Sequence, residues 1–235
     1  MLAASAAQAV DLPPSYQDVC RAENHPDWAY GKDGTPVQYQ PLFGCDGRFG
    51  PRRDIDEQFV EKLQATGLEG PALSWELVRH GWDWMRRQSL SHALNRFNLA
   101  FEADPANGDV YHGIAVIMNE TAQSGRVVDY WFRQAVEKER GQAGRFADYG
   151  RFLTMQERDE DALAMLEKSI ELEPFNAWTM VNLATVYFRQ GDMQRGCAMV
   201  ERIGTASPPP GYPEERFRAI VDHWLTRGKT EGCGS

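Results

Sequence analysis

The chain has 235 residues, 42% of them hydrophobic, and a formal net charge of −9. That apolar fraction supplies a packed core and excludes a globally disordered chain. An acidic chain without a basic block is repelled by phosphate backbones, which excludes nucleic acid as an expected partner, and no apolar run reaches the length of a membrane span.

Residues 1–9 read MLAASAAQA, and Ala7-Gln8-Ala9 satisfies the small-x-small rule of signal-peptidase cleavage. With Pro13-Pro14 following, the segment reads as the remnant of a secretory signal; the alternative is an Ala-rich terminus. Residues 10–53 are rich in Pro, Gly, Asp and aromatics and carry no helical period. Turn signals stand at Asp33-Gly34, Asp46-Gly47 and Gly50-Pro51, and Val37, Tyr39 and Leu42 allow a short strand. This irregular segment is expected to lie against helices. Residues 54–73 form an extra helix and linker: Ile55, Phe59 and Leu63 share one face at i, i+4 and i+8, Gly67 and Gly70-Pro71 end the helix, and Ser74 is the expected N-cap of the next.

A pattern then recurs four times. The first copy carries Leu77, His80, Gly81, Trp84, Ala93, Phe97, Ala100 and Pro105. The second carries Tyr111, Ile114, Ala115, Met118, Val128, Phe132 and Ala135. The third carries Phe146, Tyr149, Gly150, Leu153, Ala162, Leu166 and Pro174, and the fourth Met180, Leu183, Ala184, Tyr187, Gly196, Val200 and Pro208. The small residue of each first helix falls at Gly81, Ala115, Gly150 and Ala184, spaced 34, 35 and 34. Small residues let the paired helix approach, large ones fill the space between neighbours, and proline cannot continue a helix.

Over residues 74–208 this constellation resembles the tetratricopeptide-repeat (TPR) family, of an exported or periplasmic bacterial type. The resemblance implies an all-α, right-handed α-solenoid of helix hairpins; the irregular N-terminal segment before it is expected to be disulfide-stapled from its own cysteines. Its four repeats are expected at 74–107, 108–142, 143–176 and 177–213. Residues 214–235 then supply a cap and tail. Phe217, Ile220, Val221 and Trp224 stand at helical spacing, and Glu214, Glu215, Arg218 and Arg227 form a wet face, as a capping helix requires.

The four cysteines, Cys20, Cys45, Cys197 and Cys233, form no C-x-x-C pair, which argues against zinc and dithiol chemistry. Of the three possible connectivities, chain position favours Cys20–Cys45 and Cys197–Cys233. Each would contribute about 3 kcal/mol by loop closure. They support a periplasmic or secreted location; four unpaired thiols would contradict it.

There is no G-x-S-x-G, H-E-x-x-H, P-loop or dinucleotide fingerprint, so neither catalysis nor a cofactor is expected. His80 stands where the pattern wants leucine and reads as a packing residue. The Asn119 sequon falls within an expected helix and reads as accidental. In TPR proteins the first helices line a concave groove, and the resemblance implies a protein- or peptide-binding face there. Its expected residues are Trp75, Val78, Trp82 and Arg86; His112, Val116, Asn119 and Glu120; Ala147, Arg151 and Thr154; and Trp178, Asn182, Thr185 and Arg189. Aromatic rings give contact area, Asn pairs with backbone amides and Arg with carboxylates. Val78, Trp82 and Gly113 stand where the two-carboxylate clamp of chaperone-binding relatives needs Lys and Asn, so that ligand is disfavoured. Two other readings remain open. One is a small-ligand binder or enzyme subunit using His112, Glu120 and Arg151. The other is a structural protein whose groove is filled by its own residues 10–53.

Overall fold

The structure, a computed structural model, describes residues 54–123, 125–138, 142–208 and 212–234. The expected signal remnant, the expected irregular segment and short strand, and the expected Cys20–Cys45 pair lie outside the described residues. Among the described residues the regular structure is entirely helical. In chain order the helices are α1 (Asp54–Gln64), α2 (Gly70–Arg86), α3 (Leu90–Ala103), α4 (Gly108–Glu120), α5 (Gly125–Glu137), α6 (Ala143–Met155), α7 (Asp159–Leu172), α8 (Ala177–Arg189), α9 (Met193–Gly204) and α10 (Glu214–Thr230). The chain divides into two units, Met1–Glu139 and Arg140–Ser235.

In the first unit α2 pairs with α3 and α4 with α5, while α3 and α2 both pack on α4. Phe97 of α3 explains the close approach. Its ring is fully buried and occupies the space that side chains would fill at Gly81 of α2 and Gly113 of α4: a Cβ at either would come within 2.6 and 2.3 Å of the ring. In the second unit α6 pairs with α7 and α8 with α9, and α6 and α7 both pack on α8. Here Leu166 of α7 fills the place of a side chain at Gly150 of α6, 2.6 Å from a built Cβ.

The hairpin turns repeat a single device. Gln88, Ala122, Glu157 and Gly191 all have positive φ, and they follow one another at 34, 35 and 34 residues. At each, the N–H two residues past the helix end donates to the carbonyl three residues back: Gln88 to Met85, Ala122 to Asn119, Glu157 to Thr154 and Gly191 to Phe188. The next N–H reaches five residues back, to Trp84, Met118, Leu153 and Tyr187. This is the Schellman closure, which normally wants glycine because a Cβ costs about 1 kcal/mol there. Only Gly191 escapes that cost; elsewhere the two carbonyls satisfied offset it.

Between hairpins, asparagine starts the following helix. Asn107 Oδ1 accepts from Asp109 N–H and Asn176 Oδ1 from Thr179 N–H, both at 3.0 Å. Ser74, expected as an N-cap, is instead buried inside α2. Its hydroxyl donates to Ala100 O at 2.8 Å and accepts from Asn107 Nδ2 at 3.0 Å. The helix starts earlier, at Gly70, because Pro71 suits a first turn whose N–H groups have no helical partner anyway. Ser74 therefore joins α2, the end of α3 and the start of α4.

α1 docks through an aromatic and an ionic contact. Phe59 meets His80 edge to face at 5.0 Å, and the Arg96 guanidinium lies 4.3 Å over its ring. Arg96 also donates to Asp56 at 2.7 Å. His80 is thus a packing residue, as expected. Burial, followed by the Arg79 charge, holds its imidazole below the usual range against the pull of Glu76 and Asp83, while Arg96 adds to the depression. The folded chain binds this proton less readily than the unfolded one. The stabilisation from neutral His80 is therefore complete above about pH 6.5 and is lost as pH falls through the lowered folded value. Thermal melts between pH 7.5 and 5 are expected to show wild type losing stability faster than His80→Gln; parallel curves would contradict the assignment.

Within the segment expected to form the cap, Glu214–Thr230 is the helix α10. Phe217 and Trp224 are buried, and Trp224 closes a cluster with Met180, Ala184, Phe188, Val200 and Ile203 of α8 and α9. Cys197 of α9 and Cys233 beyond α10 form a disulfide with a Cα–Cα distance of 5.3 Å, the pairing expected from position.

Candidate functional site

The residues expected to form a binding face lie on the first helices of the hairpins, some in each unit. On α2 successive residues are rotated by about 100°, so Trp75, Arg79, Trp82 and Arg86 fall within about 60° of arc. Trp75 is 45% exposed, large for an isolated aromatic. Trp82 is half-buried, its ring edge-on to Phe97 at 5.5 Å and tilted over His112 at 5.1 Å. Val78 lies about 40° outside that arc and is only 4% exposed, so the expected valine belongs to the core and Arg79 takes its place on the face. Arg79 follows from the i, i+4, i+7, i+11 spacing of Trp75, Arg79, Trp82 and Arg86.

The charges on this helix are paired along it. Arg79 bonds both oxygens of Glu76, at 3.0 and 2.5 Å, and lies 3.4 Å from Asp83, while Arg86 pairs with Asp83. The Arg79 hydrogen bond is the main reason the Glu76 carboxyl sits below its ordinary range. These pairs are solvent-exposed and of low energy, so a partner's carboxylate can compete for either guanidinium.

On α4, His112 is only 7% exposed, between Trp82 and Phe132 at 6.4 Å. Val116 and Asn119 are half-buried and Glu120 is exposed. His112 and Glu120 belong to the first unit and Arg151 to the second. Imidazole burial against two rings is the geometry of packing. Among the described residues no cluster of His, Cys, Asp and Glu could hold a metal ion.

In the second unit several expected residues are engaged within the chain. Thr154 is buried and donates to Gly150 O at 2.8 Å; Asn182 donates to Trp178 O at 2.8 Å and Thr185 to Val181 O at 2.9 Å. Arg189 donates through Nε to Asp159 at 2.8 Å and through Nη2 to Thr154 O at 3.2 Å, tying the end of α8 to the α6–α7 turn. Trp178 lies edge-on to Tyr212 at 5.3 Å and Phe217 at 6.2 Å, under the start of the cap. Arg151 is exposed and Ala147 half-buried. Trp178 is half-buried against Tyr212 and Phe217 whereas Trp75 is 45% exposed, so the described surface favours α2 over α8.

The hairpins have the repeat length and register of the tetratricopeptide-repeat fold. No family model matches the chain, and no curated protein matches it. Among solved structures it is similar to Pseudomonas aeruginosa PilF, at 19% identity over 69% of this chain and 78% of that one, with a TM-score of 0.53. It is also similar to a double mutant of MamA RS-1, at 14% identity over 67% of this chain and 88% of that one, with a TM-score of 0.51. At these identities the likeness establishes the fold. Among the described residues no helix is long and apolar enough to cross a membrane.

Proposed function

We propose that this protein is a non-enzymatic TPR adaptor that binds a protein or peptide, with residues 74–213 forming the four repeats (74–107, 108–142, 143–176 and 177–213). The observation that carries the reading is the exposed Trp75 in line with Arg79, Trp82 and Arg86 on α2. Tryptophan and arginine dominate protein-binding hot spots because they combine apolar area with fixed donors. The ligand this face suits is an extended peptide that lays an apolar side chain on Trp75 and offers a carboxylate to Arg79 or Arg86. Half-buried Asn119 and exposed Glu120 of α4 are the polar residues the repeat pattern assigns to the same face. The Cys197–Cys233 bond supports a cell-envelope or secreted setting, because disulfides persist in oxidising compartments.

The test is selection of peptides from a random library on the wild-type chain, followed by titration against Trp75→Ala/Arg86→Glu. Both positions are exposed, so the melting temperature is expected to stay unchanged while affinity falls at least about tenfold. Peptides that bind both forms equally, or a library that yields no binder, would contradict the assignment to α2.

A further inference from the structure

We propose that the Cys197–Cys233 disulfide is a redox latch on α10, whose opening frees this helix and uncovers the apolar face of α8 and α9. The inference is independent of the peptide-binding face on α2.

Four observations carry it. Of the 17 residues of α10 only Phe217, Trp224 and Gly228 are buried, so the helix is held along one edge. The cluster beneath it is built mostly by α8 and α9: Met180, Ala184, Phe188, Val200 and Ile203 pack there, and α10 adds Trp224 as its buried member. That face can therefore persist when the helix leaves. The bond is also placed at the end of α10 remote from the chain connection. Polypeptide holds the helix at Pro213, and the disulfide holds it at Cys233, just past Thr230. Cutting the bond frees one end without disturbing any hairpin. Finally, both cysteines are half-buried rather than sealed, so a thiolate can reach them.

Beside the buried Trp224, the charged contact that joins this end to the hairpins is that of Arg227 with Phe188; its contacts with Trp224 and Glu231 stay within the α10 segment. Arg227 lies over Phe188 at 5.7 Å and Trp224 at 4.9 Å and pairs with Glu231 at 3.7 Å. Gly228 lets the end of α10 lie against Val200, where a Cβ would come within 2.8 Å.

The opening step is thiol–disulfide exchange with a dithiol reductant. Its thiolate attacks one sulfur, forming a mixed disulfide and expelling the other cysteine as thiolate. The second thiol of the reductant then closes its own disulfide and expels the remaining cysteine. Two electrons and two protons pass to the protein, giving two cysteine thiols and one oxidised dithiol.

Amide hydrogen exchange on the full chain, with and without dithiothreitol, tests the latch. Reduction is expected to speed exchange in α10 by at least about tenfold while α6 and α7 keep their protection. The Cys197→Ser/Cys233→Ser variant is expected to match the reduced state and to ignore the reductant. Unchanged exchange in α10 would overturn the proposal. So would loss of protection across α6 to α10 together, because the bond would then be a staple for the whole unit.

Discussion

Phe97→Ala is expected to destabilise the first unit by about 3–5 kcal/mol, the range for removing a buried aromatic ring. The ring is 0% exposed and lies between two glycines on two different helices, so its loss opens a cavity that neither backbone can fill. The reciprocal change tests the same contact from the other side. At Gly113→Ala the new methyl would stand 2.3 Å from the ring, and Gly81 closes the ring's opposite escape. Overpacking of this kind costs about 1–3 kcal/mol. Urea unfolding of both variants measures the effect. Because alanine at 113 and alanine at 97 relieve one another, the double variant is expected to be more stable than the sum of the two losses predicts. Additive losses would mean that the glycines are small for another reason.

Asp56→Ala is expected to cost about 3 kcal/mol, the lower end for breaking a buried ion pair, because it leaves the Arg96 guanidinium without its carboxylate. The two side chains are only 12% and 11% exposed, so water replaces the missing partner poorly. The loss has a ceiling. If α1 undocks, Arg96 regains water, and the penalty cannot exceed the free energy with which α1 is held. Replacing both groups by apolar ones, Asp56→Leu/Arg96→Met, is expected to recover most of the loss, since no charge then remains buried. Urea unfolding of the three variants, with exchange in α1 as the local readout, decides it. A single variant with wild-type stability would show that the pair is satisfied by solvent.

The repeat was legible because it rests on residue size at a fixed period. Gly81, Ala115, Gly150 and Ala184 stand at contacts where helices approach, and that requirement survives in the sequence as small side chains at regular spacing. Helix starts and stops were less legible. Three of the four Schellman closures use Gln88, Ala122 and Glu157, where the expected glycine signal is absent. Asn107 and Asn176 start helices from within the turns that also carry Pro105 and Pro174. Ser74 has the composition of a cap, yet burial gave its hydroxyl two partners within the core.

The proposed binding face shows the same division. Sequence by itself determined that Trp75, Trp82 and Arg86 share one side of a helix, because helical rotation is set by position along the chain alone. It also determined that Cys197 and Cys233 were a plausible pair. What only the tertiary structure decided was which of the expected residues other elements had already claimed. Val78 and His112 are in the core, Trp178 lies against Tyr212 and Phe217, and Arg189 is bonded to Asp159 and Thr154. Burial and hydrogen bonding depend on neighbours distant in sequence, and a helical period states which way a side chain faces without stating what it meets.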